Sequence, residues 1–548
     1  MKKQIKEIID RAIKPEVADF SIDVSDNSSH GDYFTNVALI LAKKLGKNPK
    51  KVADDIKNKI KSELFEKIEV AGPGFINFYV SNKIFTDNLK NIDKNYGRGK
   101  NLQRQKVIID YTDPNPFKEF HIGHLMSNAI GESLSRIFEF QGAKVKRVCY
   151  QGDVGIHVAK AIWGKMQDDK QSWGQAYAFG AKAYEENPFA KIEIVELNKK
   201  IYQRSDKNIN KFYDEGKKES LKRFGEIYKK LDTNFNYFIF ESETGPVGKK
   251  LVERGLTDGI FEKGENGAII FKGEKFGLHT RVFINSEGLP TYEAKDLGLA
   301  KLKYKKYAYG KSVIVTGNEV NEYFKVMLCA MSKVLPKLAE RTHHIGHGML
   351  RLPEGKMSSR TGKVVTGESL IKKVEELVKE KIKGRELLEK NKAEIITGVA
   401  IGAIRYSILK QSIGSDIIYD FDKSISFEGD SGPYLQYSYT RAESVLRKAK
   451  AERVNASFKK IPTEVTELEK AICRFPEVVG EAQKSFQPHA LVLYLTELAG
   501  IFNGYYAKNK IVDKVDEYSP YKVALTEAFT IVMKNGLWML GIKTLEKM

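Results

Sequence analysis

The sequence predicts an α/β fold, in which a doubly wound parallel sheet stands between an N-terminal α+β add-on domain and a C-terminal all-α bundle. A short buried strand at Val107–Ile109 leads through a loop into an amphipathic helix and then into a second strand at Val145–Cys149. This order is typical of the first half of an open parallel sheet. After about residue 367, apolar residues recur at three-to-four spacing, which indicates a helical bundle.

The 548 residues are too many for one hydrophobic core, so we expect several domains. We assign residues 1–99 to the N-terminal domain, 100–375 to the parallel-sheet domain and 376–548 to the helical domain. A stretch rich in Lys, Glu and Tyr at about 165–275 indicates an insertion of helices and a small β patch. The sheet is expected to resume at Val282–Ile284 and at Val313–Gly317.

Hydrophobic periodicity predicts further elements in both flanking domains. In the N-terminal domain, helices are expected near Ile5–Ile13, Thr35–Leu45 and Lys50–Leu64, followed by strands at Ile68–Val70 and Phe75–Val80. In the C-terminal domain, helices are expected at Ile395–Leu409, Tyr434–Glu452, Leu491–Tyr506 and Tyr521–Leu540.

The formal net charge of +20 favours a polyanionic partner, because each Lys or Arg near a phosphate releases counterions. A lysine-rich proteome would produce the same excess, so charge alone leaves both interpretations open. The three cysteines lie far apart without a Cys-x-x-Cys pair, which predicts no structural zinc site and fits a reducing compartment. The charged amphipathic start and the lack of a long apolar run predict a cytoplasmic protein with no membrane segment.

Two short motifs carry the chemistry. His121-Ile122-Gly123-His124 follows the first predicted strand, and Lys356-Met357-Ser358-Ser359-Arg360 comes much later. The first places two imidazoles and a glycine where a helix begins, and a helix N-terminus favours phosphate. The second offers two cations and two hydroxyls to a triphosphate. By itself the first motif also fits two histidines that cap a surface helix. Together, in this order, the two motifs predict a site that binds ATP and expels pyrophosphate.

Three neighbouring stretches extend this site. Lys118 can place a further cation on the phosphates, although a solvated loop lysine is the alternative. Asp153 follows the second strand, where open sheets bind ligands, and it fits either a ligand contact or a simple Gly-Asp turn. The stretch Gly346-His347-Gly348-Met349 can let the backbone bind adenine. Mg²⁺ is expected to arrive with ATP rather than in a protein cage.

The motif pair resembles the two hallmark motifs of class I aminoacyl-tRNA synthetases. The stretch from Asp110 to His124, DYTDPNPFKEFHIGH, resembles the corresponding stretch of arginyl-tRNA synthetases. The stretch AGPGFINF at 71–78 resembles the end of the family's N-terminal add-on domain. The stretches SGPYLQY at 431–437 and PHA at 488–490 resemble its anticodon-binding domain. The resemblance implies a Rossmann-like catalytic domain and three substrates, L-arginine, ATP and the arginine tRNA. It also implies that activation requires the tRNA.

The resemblance implies a role for each matching residue. Arginine contacts are expected from Asp110, Asn115, His124, Tyr292 and Asp296, of which Tyr292 and Asp296 share one helical face. ATP contacts are expected from His121, Gly123, His124, Gly346, His347, Met349, Lys356, Ser358 and Ser359. Catalytic residues are expected to be His121, His124, Lys118, Lys356 and Arg360. Tyr506 and the C-terminal Met548 are expected near the anticodon loop of the tRNA, and a monomer is the family expectation.

This chain departs from the family pattern at four places. The family often has Ser-Ser before Pro-Asn, where this chain has Thr112-Asp113. Val154 replaces a tryptophan, and Val320 stands where a glutamine is common. Arg360 replaces the second lysine of the phosphate loop, so Lys118 and Arg360 are expected to share the pyrophosphate charge.

Two alternative functions stay open at this point. One is a class I synthetase for another amino acid, such as glutamate, glutamine or cysteine. The other is a non-catalytic tRNA-binding relative, although such relatives tend to lose the histidines or the loop lysine that this chain keeps. Charging assays with each amino acid separate the first from the main hypothesis, and arginine-dependent AMP release separates the second.

Overall fold

The structure is a computed structural model that describes residues 1–25, 27–352, 366–383 and 389–546. The helices are α1 Lys2–Ala12, α2 Val37–Leu45, α3 Pro49–Lys59, α4 Asn82–Lys90, α5 Ile122–Phe140, α6 Ile156–Gln167, α7 Trp173–Glu186, α8 Pro188–Gln203, α9 Lys207–Lys230, α10 Glu241–Thr257, α11 Tyr292–Lys306, α12 Asn321–Val334, α13 Pro336–Ala339, α14 Gly367–Lys381, α15 Glu389–Leu409, α16 Phe421–Ser424, α17 Gly432–Glu452, α18 Glu467–Ser485, α19 His489–Lys508 and α20 Ser519–Met539. The strands are β1 Ile22–Val24, β2 Tyr33–Thr35, β3 Phe65–Ala71, β4 Phe75–Val80, β5 Lys106–Asp110, β6 Lys144–Gln151, β7 Tyr237–Phe240, β8 Glu262–Lys263, β9 Ile269–Phe271, β10 Arg281–Ile284, β11 Lys311–Gly317, β12 Thr342–His347, β13 Leu350–Arg351 and β14 Ile417–Ile418.

A five-stranded parallel sheet with the order β12-β11-β5-β6-β7 forms the centre of the catalytic part. Strand β5 pairs with β11 on one side and with β6 on the other. After β5, strands β6 and β7 are added on one side of it, and β11 and β12 are added later on its other side. The strand order therefore reverses between β5 and β11. This is the doubly wound arrangement predicted from the sequence, and ligands bind at such a reversal, at the carboxyl ends of the strands.

Two predictions about this sheet are wrong or incomplete. Residues Arg281–Ile284 do not resume the parallel sheet but form one strand of a small antiparallel sheet with the order β10-β9-β8. Conversely, Tyr237–Phe240 falls within the predicted insertion, yet it pairs in parallel with β6 as an edge strand. The strand predicted at Val313–Gly317 is present as β11. Short apolar runs of this kind do not reveal which sheet they join, because pairing depends on distant residues.

The N-terminal residues form a four-stranded antiparallel sheet with the order β1-β2-β4-β3. The predicted strand pair is present, joined at the tight turn after Ala71. The predicted helices correspond to α1, α2 and α3, and α3 ends earlier than expected. Strands β1 and β2 were not predicted, because three-residue strands carry little periodic signal. The short helix α4 was not predicted either.

The C-terminal part is helical in all its long described elements, as predicted. The expected helices correspond to α15, α17, α19 and α20, and α14 and α18 are additional. By compactness the chain forms two units, one comprising Met1–Arg98, Ser438–Glu481 and Tyr494–Asn535, and the other Gly99–Tyr437, Ala482–Leu493 and Gly536–Met548. The division at residues 99 and 375 stays a prediction.

A buried ionic network fixes helix α5 against strands β5 and β6. The Glu132 carboxylate accepts from Arg136 Nε at 2.7 Å, from Arg147 Nε at 2.9 Å and from the Tyr111 hydroxyl at 2.5 Å. Arg147 also pairs with Glu139 at 2.7 Å. A buried carboxylate is stable only when its oxygens are saturated in this way, so the network sets the position of the helix whose first turn carries the His-x-Gly-His motif.

Within the described ranges, every helix is too short or too polar to cross a membrane. Cys149, Cys329 and Cys473 are free thiols, of which the first and last are buried. Among the described residues, no group of three or more His, Cys, Asp or Glu side chains is arranged to hold a metal ion.

Candidate active site

A cavity of about 460 Å³ opens at the carboxyl ends of the parallel strands, between β5 and β11. Eight of the residues expected to contact arginine or ATP line it. Six of them are Asp110, Asn115, His121, His124, Tyr292 and Asp296. The other two are Gly123 and His347, so distant parts of the sequence meet at one cavity. The cavity belongs to a single compact unit of the chain.

The loop that joins β5 to α5 has an unusual backbone. Thr112, Asp113 and Phe117 have φ angles of +82°, +49° and +71°. These values lie in the left-handed region, which residues other than glycine rarely adopt. Hydrogen bonds hold this conformation: Thr112 N donates to Ser127 Oγ at 3.0 Å, and Phe117 N donates to Ser220 Oγ at 2.9 Å. Strain of this kind is typical of loops that orient functional groups.

The two histidines of the motif stack on each other at the start of α5, with ring centroids 3.5 Å apart. The backbone N–H of His121 donates to His124 Nδ1 at 3.1 Å, so the proton of the neutral His124 ring resides on Nε2. Burial and the nearby Lys118 ammonium lower the pKa of His121 to about 4, and burial lowers the pKa of His124 well below its usual value. Both rings are therefore neutral at pH 7 and act as hydrogen-bond donors rather than as cations.

Four carboxylates of the cavity wall are shielded from solvent to different extents: Asp110 and Glu241 are buried, and Asp113 and Asp296 are half-buried. A fifth lining carboxylate, Glu319, is exposed to water. Lys303 Nζ lies 3.1 Å from Asp110, and Lys295 Nζ lies 2.5 Å from Glu241; these four side chains are at most 5% exposed. Burial alone would lower the pKa of Lys303, but the Asp110 carboxylate raises it above its usual value. The two lysines thus stay charged and neutralise the two buried acids, Asp110 and Glu241.

The other two carboxylates have different partners. Asp296 Oδ2 accepts from the Tyr323 hydroxyl at 2.6 Å, and Asp113 Oδ1 accepts from the backbone N–H of Tyr150 at 2.7 Å. Burial raises the pKa of Asp296 to about 7, an effect that the Tyr323 hydrogen bond opposes and Glu241 reinforces. Burial likewise raises the pKa of Asp113 well above its usual range, and the Asp110 charge adds to it. A bound cation would lower the pKa of both groups.

The carboxyl end of β6 closes the cavity on one side. The Asn115 Oδ1 atom accepts from Gly152 N at 2.8 Å. A Cβ atom on Gly152 would lie 2.7 Å from that oxygen and 2.9 Å from Glu241 Oε1, so any other residue here would displace the ends of these two side chains. Asp153, for which a ligand contact or a turn was expected, is fully buried and accepts from Tyr213, Lys217 and Ser242. These contacts saturate Asp153 inside the protein, which favours a structural role.

Of the three residues Gly346, His347 and Met349, which were predicted to contact the adenosine of ATP, only one lines the cavity. His347 lines the cavity, and its Nδ1 atom lies 2.7 Å from the Gly348 carbonyl oxygen. Gly346 and Met349 are not among the described residues that line the cavity, and Met349 N donates to Asp416 Oδ1 at 2.9 Å. Their contacts with ATP stay predictions. Lys118 also lies outside the lining set, with its Nζ 4.8 Å above the Tyr177 ring, and burial lowers its pKa to about 8.

The second motif lies outside the described residues, and so does Met548. The roles of Lys356, Ser358, Ser359 and Arg360 therefore stay predictions. The described chain that follows lies beside the first motif. Thr366 forms an isolated antiparallel β-bridge with His121, and Gly367 N donates to the Phe120 carbonyl oxygen at 2.7 Å. Tyr506, expected near tRNA, is 41% exposed on α19.

Sequence reasoning missed several residues of the cavity and its wall. Asp113 stood out only as a departure from a pattern, and Glu241, Lys295, Lys303 and Tyr323 were not singled out. Lys295 and Lys303 lie in the lysine-rich helix α11, where a lysine is ordinarily expected to face water. Two signals were available: Lys295 directly precedes Asp296, and Glu241 follows the short apolar run that forms β7.

The arrangement has the features that activation of a cationic amino acid requires. Helix α5 presents its N-terminus and two neutral donors at one side of the cavity, which suits phosphate. Asp296 and Asp113 lie elsewhere on the cavity wall and have no lysine partner; a tyrosine hydroxyl and a backbone N–H donate to them. Such carboxylates suit a guanidinium or an ammonium group.

Three family models match the chain. The model described as tRNA synthetases class I (R), catalytic domain, matches residues 87–421. The arginyl tRNA synthetase N terminal domain matches residues 1–80, and the DALR anticodon binding domain matches residues 435–548. The three matches follow one another in the order expected from the motifs.

Curated relatives match over nearly the full length. The arginine–tRNA ligase of Fusobacterium nucleatum is 31% identical over 560 residues, covering 97% of this chain and 96% of the relative. That of Clostridium acetobutylicum is 31% identical over 568 residues and covers 100% of both chains. Among solved structures, arginyl-tRNA synthetase from Thermus thermophilus has a TM-score of 0.83 at 22% identity and covers 100% of both chains. The Plasmodium falciparum enzyme has a TM-score of 0.82 at 24% identity and covers 100% of this chain and 99% of its own.

The structural likeness confirms the fold class predicted from the sequence, and the matched models and relatives establish the family. The chain belongs to the arginyl-tRNA synthetase family of class I aminoacyl-tRNA synthetases.

Proposed function

We propose that this chain is an arginine–tRNA ligase, which activates L-arginine with ATP and transfers it to the arginine tRNA. The observation that carries the proposal is the acid-lined cavity at the reversal of the parallel sheet, beside the neutral His121–His124 pair. The family to which the chain belongs supports the choice of arginine.

The reaction needs two displacement steps. A carboxylate oxygen of arginine attacks the α-phosphorus of ATP, and the bond from that phosphorus to pyrophosphate breaks. A ribose hydroxyl of the terminal adenosine of the tRNA then attacks the arginyl carbonyl carbon, and AMP leaves. Neither step needs a covalent bond to the protein, so catalysis consists of positioning the reactants and stabilising charge.

The described residues divide this work. The Nε2–H of His124 donates to the phosphate oxygens as negative charge develops there, and the N-terminus of α5 adds its dipole. Asp296 pairs with the guanidinium while Tyr323 holds one of its oxygens, and Tyr292 covers the opening. Asn115 and Asp110 complete the arginine side of the cavity.

ATP enters as its Mg²⁺ complex, so the metal belongs to the substrate. Lys118, Lys356 and Arg360 share the charge of the pyrophosphate, with Ser358 and Ser359 as hydroxyl donors, while Gly346, His347 and Met349 face the adenosine. Tyr506 and Met548 approach the anticodon loop. We further propose that the enzyme acts as a monomer in the cytoplasm, and sedimentation of the purified protein tests the oligomeric state.

The decisive experiment is aminoacylation of total tRNA with each amino acid in turn. The proposal expects esterification with arginine, and arginine-dependent pyrophosphate exchange only when tRNA is present. Charging with glutamate, glutamine or cysteine instead would establish the alternative synthetase. Binding of tRNA without arginine-dependent AMP release would establish a non-catalytic relative.

A further inference from the structure

The side chain of Arg405 on α15 is buried without a carboxylate beside it. It is 1% exposed, and within the described ranges its partners are backbone carbonyls and one hydroxyl. Nη2 donates to Leu231 O at 2.5 Å, and Nη1 donates to Leu540 O at 3.4 Å. Burial and the neighbouring Arg136 charge lower the pKa of Arg405 to about 10, so the group is still a cation at neutral pH. A buried cation without a carboxylate is costly, so its contacts must offset that cost.

The ends of two long helices supply the compensating charge. Leu231 is the C-cap of α9, and Leu540 directly follows α20. The C-terminal end of a helix carries a partial negative charge on its unpaired carbonyls, which favours a cation there. These residues all belong to the same compact unit of the chain. The Arg405 guanidinium therefore joins the ends of α9 and α20.

The turn after α20 leaves space for this guanidinium only because it contains a glycine. Gly541 has a φ angle of +69°, and a Cβ atom built on it would lie 1.5 Å from Arg405 Nη1 and 2.6 Å from Arg405 Cζ. A side chain at position 541 would therefore displace the guanidinium from its present place.

The turn that follows α9 is held to the same end of α20 by a second arginine. Arg136 Nη2 donates to Asp232 O at 2.7 Å, and Arg136 Nη1 donates to Trp538 O at 3.1 Å. Arg405 Nη2 also lies 3.5 Å from Thr233 Oγ1. Two buried guanidinium groups thus fix the three consecutive residues 231–233.

A hydrogen-bonded chain leads from this turn to the active-site loop. Thr233 Oγ1 donates to Asn128 Oδ1 at 3.1 Å, and Asn128 Nδ2 donates to Thr112 Oγ1 at 3.1 Å. These three side chains are at most 2% exposed, so water does not compete for the bonds. Thr112 has a φ angle of +82°, which is rare for a β-branched residue and persists only where the surroundings hold it. The loop that begins there carries Asn115 on the arginine side of the cavity.

We propose that Arg405 is a positioning residue for the arginine side of the active site. By joining the ends of α9 and α20 it fixes Thr233, which through Asn128 holds Thr112 and the loop between β5 and α5 in the conformation that binds L-arginine. Arg405 is not among the residues that line the cavity, so it acts through this chain and not on the substrate. The inference rests on the proposed function and deepens it.

The main test is Gly541→Ala, whose matched control is Gly259→Ala. Both glycines end a helix with the same pair of backbone bonds, and both have a left-handed φ angle, +69° and +73°. An added Cβ at Gly259 meets nothing within 4 Å, whereas at Gly541 it meets Arg405. Both variants should lose thermal stability, because each places a Cβ atom in the left-handed conformation.

Only Gly541→Ala should change substrate binding. We expect its KM for arginine to rise about three- to tenfold, as for a substitution that acts through coupled residues, and its KM for ATP to change less. The KM for arginine of Gly259→Ala should equal that of the wild type. Equal KM values for arginine in the two variants would overturn the inference, because loss of stability alone would then explain both.

Thr233→Val tests the hydrogen-bonded chain directly, since valine keeps the shape of threonine without its hydroxyl. It should raise the KM for arginine, and the double variant with Gly541→Ala should show no further rise, because both changes break the same chain. Increases that multiply in the double variant would show two independent effects and contradict the inference.

The third comparison is made at Arg405 itself. Lysine keeps the cation but not the planar fork that reaches two helix ends, so the KM for arginine of Arg405→Lys should lie between those of the wild type and Arg405→Met. A wild-type KM in folded Arg405→Met would overturn the inference; if that variant does not fold, the Gly541 and Thr233 variants decide. If the wild-type protein charges no tRNA with arginine, the proposed function itself fails. If it charges normally and all these variants keep its KM, only this inference fails.

Discussion

The backbone N–H of His121 donates to the Nδ1 atom of His124, and this one bond determines what the His-x-Gly-His motif can do. It leaves the His124 Nε2–H as the outward donor, while the stacking of the two rings at 3.5 Å fixes its direction. A neutral, oriented donor costs no reorganisation when charge develops on the phosphate. On the proposed function, the motif would act as a preorganised pair of dipoles rather than as a pair of cations.

The first prediction concerns this donor. His124→Ala should lower kcat for arginyl-tRNA formation about 10²-fold or more, as expected when one preorganised donor to a transition state is lost. His124→Gln, which can place an N–H near the original Nε2, should retain more activity than His124→Asn, whose amide lies closer to Nδ1. Equal activities of the Gln and Asn variants would contradict the assigned tautomer.

The second prediction concerns pH. Asp296 has a pKa raised by burial to about 7, with Glu241 and Asp110 raising it and Tyr323 and Lys303 lowering it. On the proposed function, arginine binds the ionised form of the Asp296 carboxylate, which predominates above that pKa and is lost below it. The KM for arginine should thus rise as the pH falls from about 7.5 to about 5.5.

Two controls belong to that experiment. Asp296→Asn should have a high KM for arginine that no longer changes over this range. The KM for ATP should change much less, because the pKa of His121 is lowered to about 4 and Lys118, with a pKa of about 8, stays mostly protonated over this range. A KM for arginine that is independent of pH in the wild type would mean that Asp296 does not contact the substrate.

The third prediction uses the close approach at Gly152. Gly152→Ala places a methyl group 2.7 Å from Asn115 Oδ1 and 2.9 Å from Glu241 Oε1, so these side chains must move and the KM for arginine should rise. The matched control is Gly225→Ala on α9, where an added Cβ meets nothing within 4 Å. That variant should leave kinetics unchanged and stabilise the fold by about 0.5–1 kcal/mol in urea unfolding. Similar kinetics for both variants would show that the Gly152 contact does not matter.

The fourth prediction concerns the buried pair Lys295–Glu241. Lys295→Met leaves the Glu241 carboxylate without its partner at 2.5 Å, with both side chains only 5% exposed. The free energy of unfolding should fall by about 3–5 kcal/mol, and by less in the double variant with Glu241→Gln. A double variant less stable than Lys295→Met alone would show that the pair is not the source of the loss.

The fifth prediction rests on the sequence alone. Lys356→Ala should lower the rate of arginyl-tRNA formation about a hundredfold, of order 3 kcal/mol in the barrier. Lys372→Ala, at an exposed position of α14, is the matched control and should charge tRNA normally. Normal charging by Lys356→Ala would remove the phosphate loop from the mechanism.

Several features of the protein follow from local sequence. The strand at Val107–Ile109, the helix that begins after His121 and the long C-terminal helices are predictable because their periodic patterns belong to single elements. The residues His121, His124 and Asp296 were also identified from sequence, and all of them line the cavity.

The pairing of side chains was decided by the tertiary structure. Lys303 meets Asp110, and Lys295 meets Glu241, across 193 and 54 positions of the chain. The sequence of α11 contains several charged residues, most of them lysines, and does not reveal which of these side chains are buried. Burial raises the free-energy cost of an unpaired charge and shifts its pKa, and burial exists only once distant segments pack together. The charge balance of the cavity is therefore set by the fold and not by any single segment of the sequence.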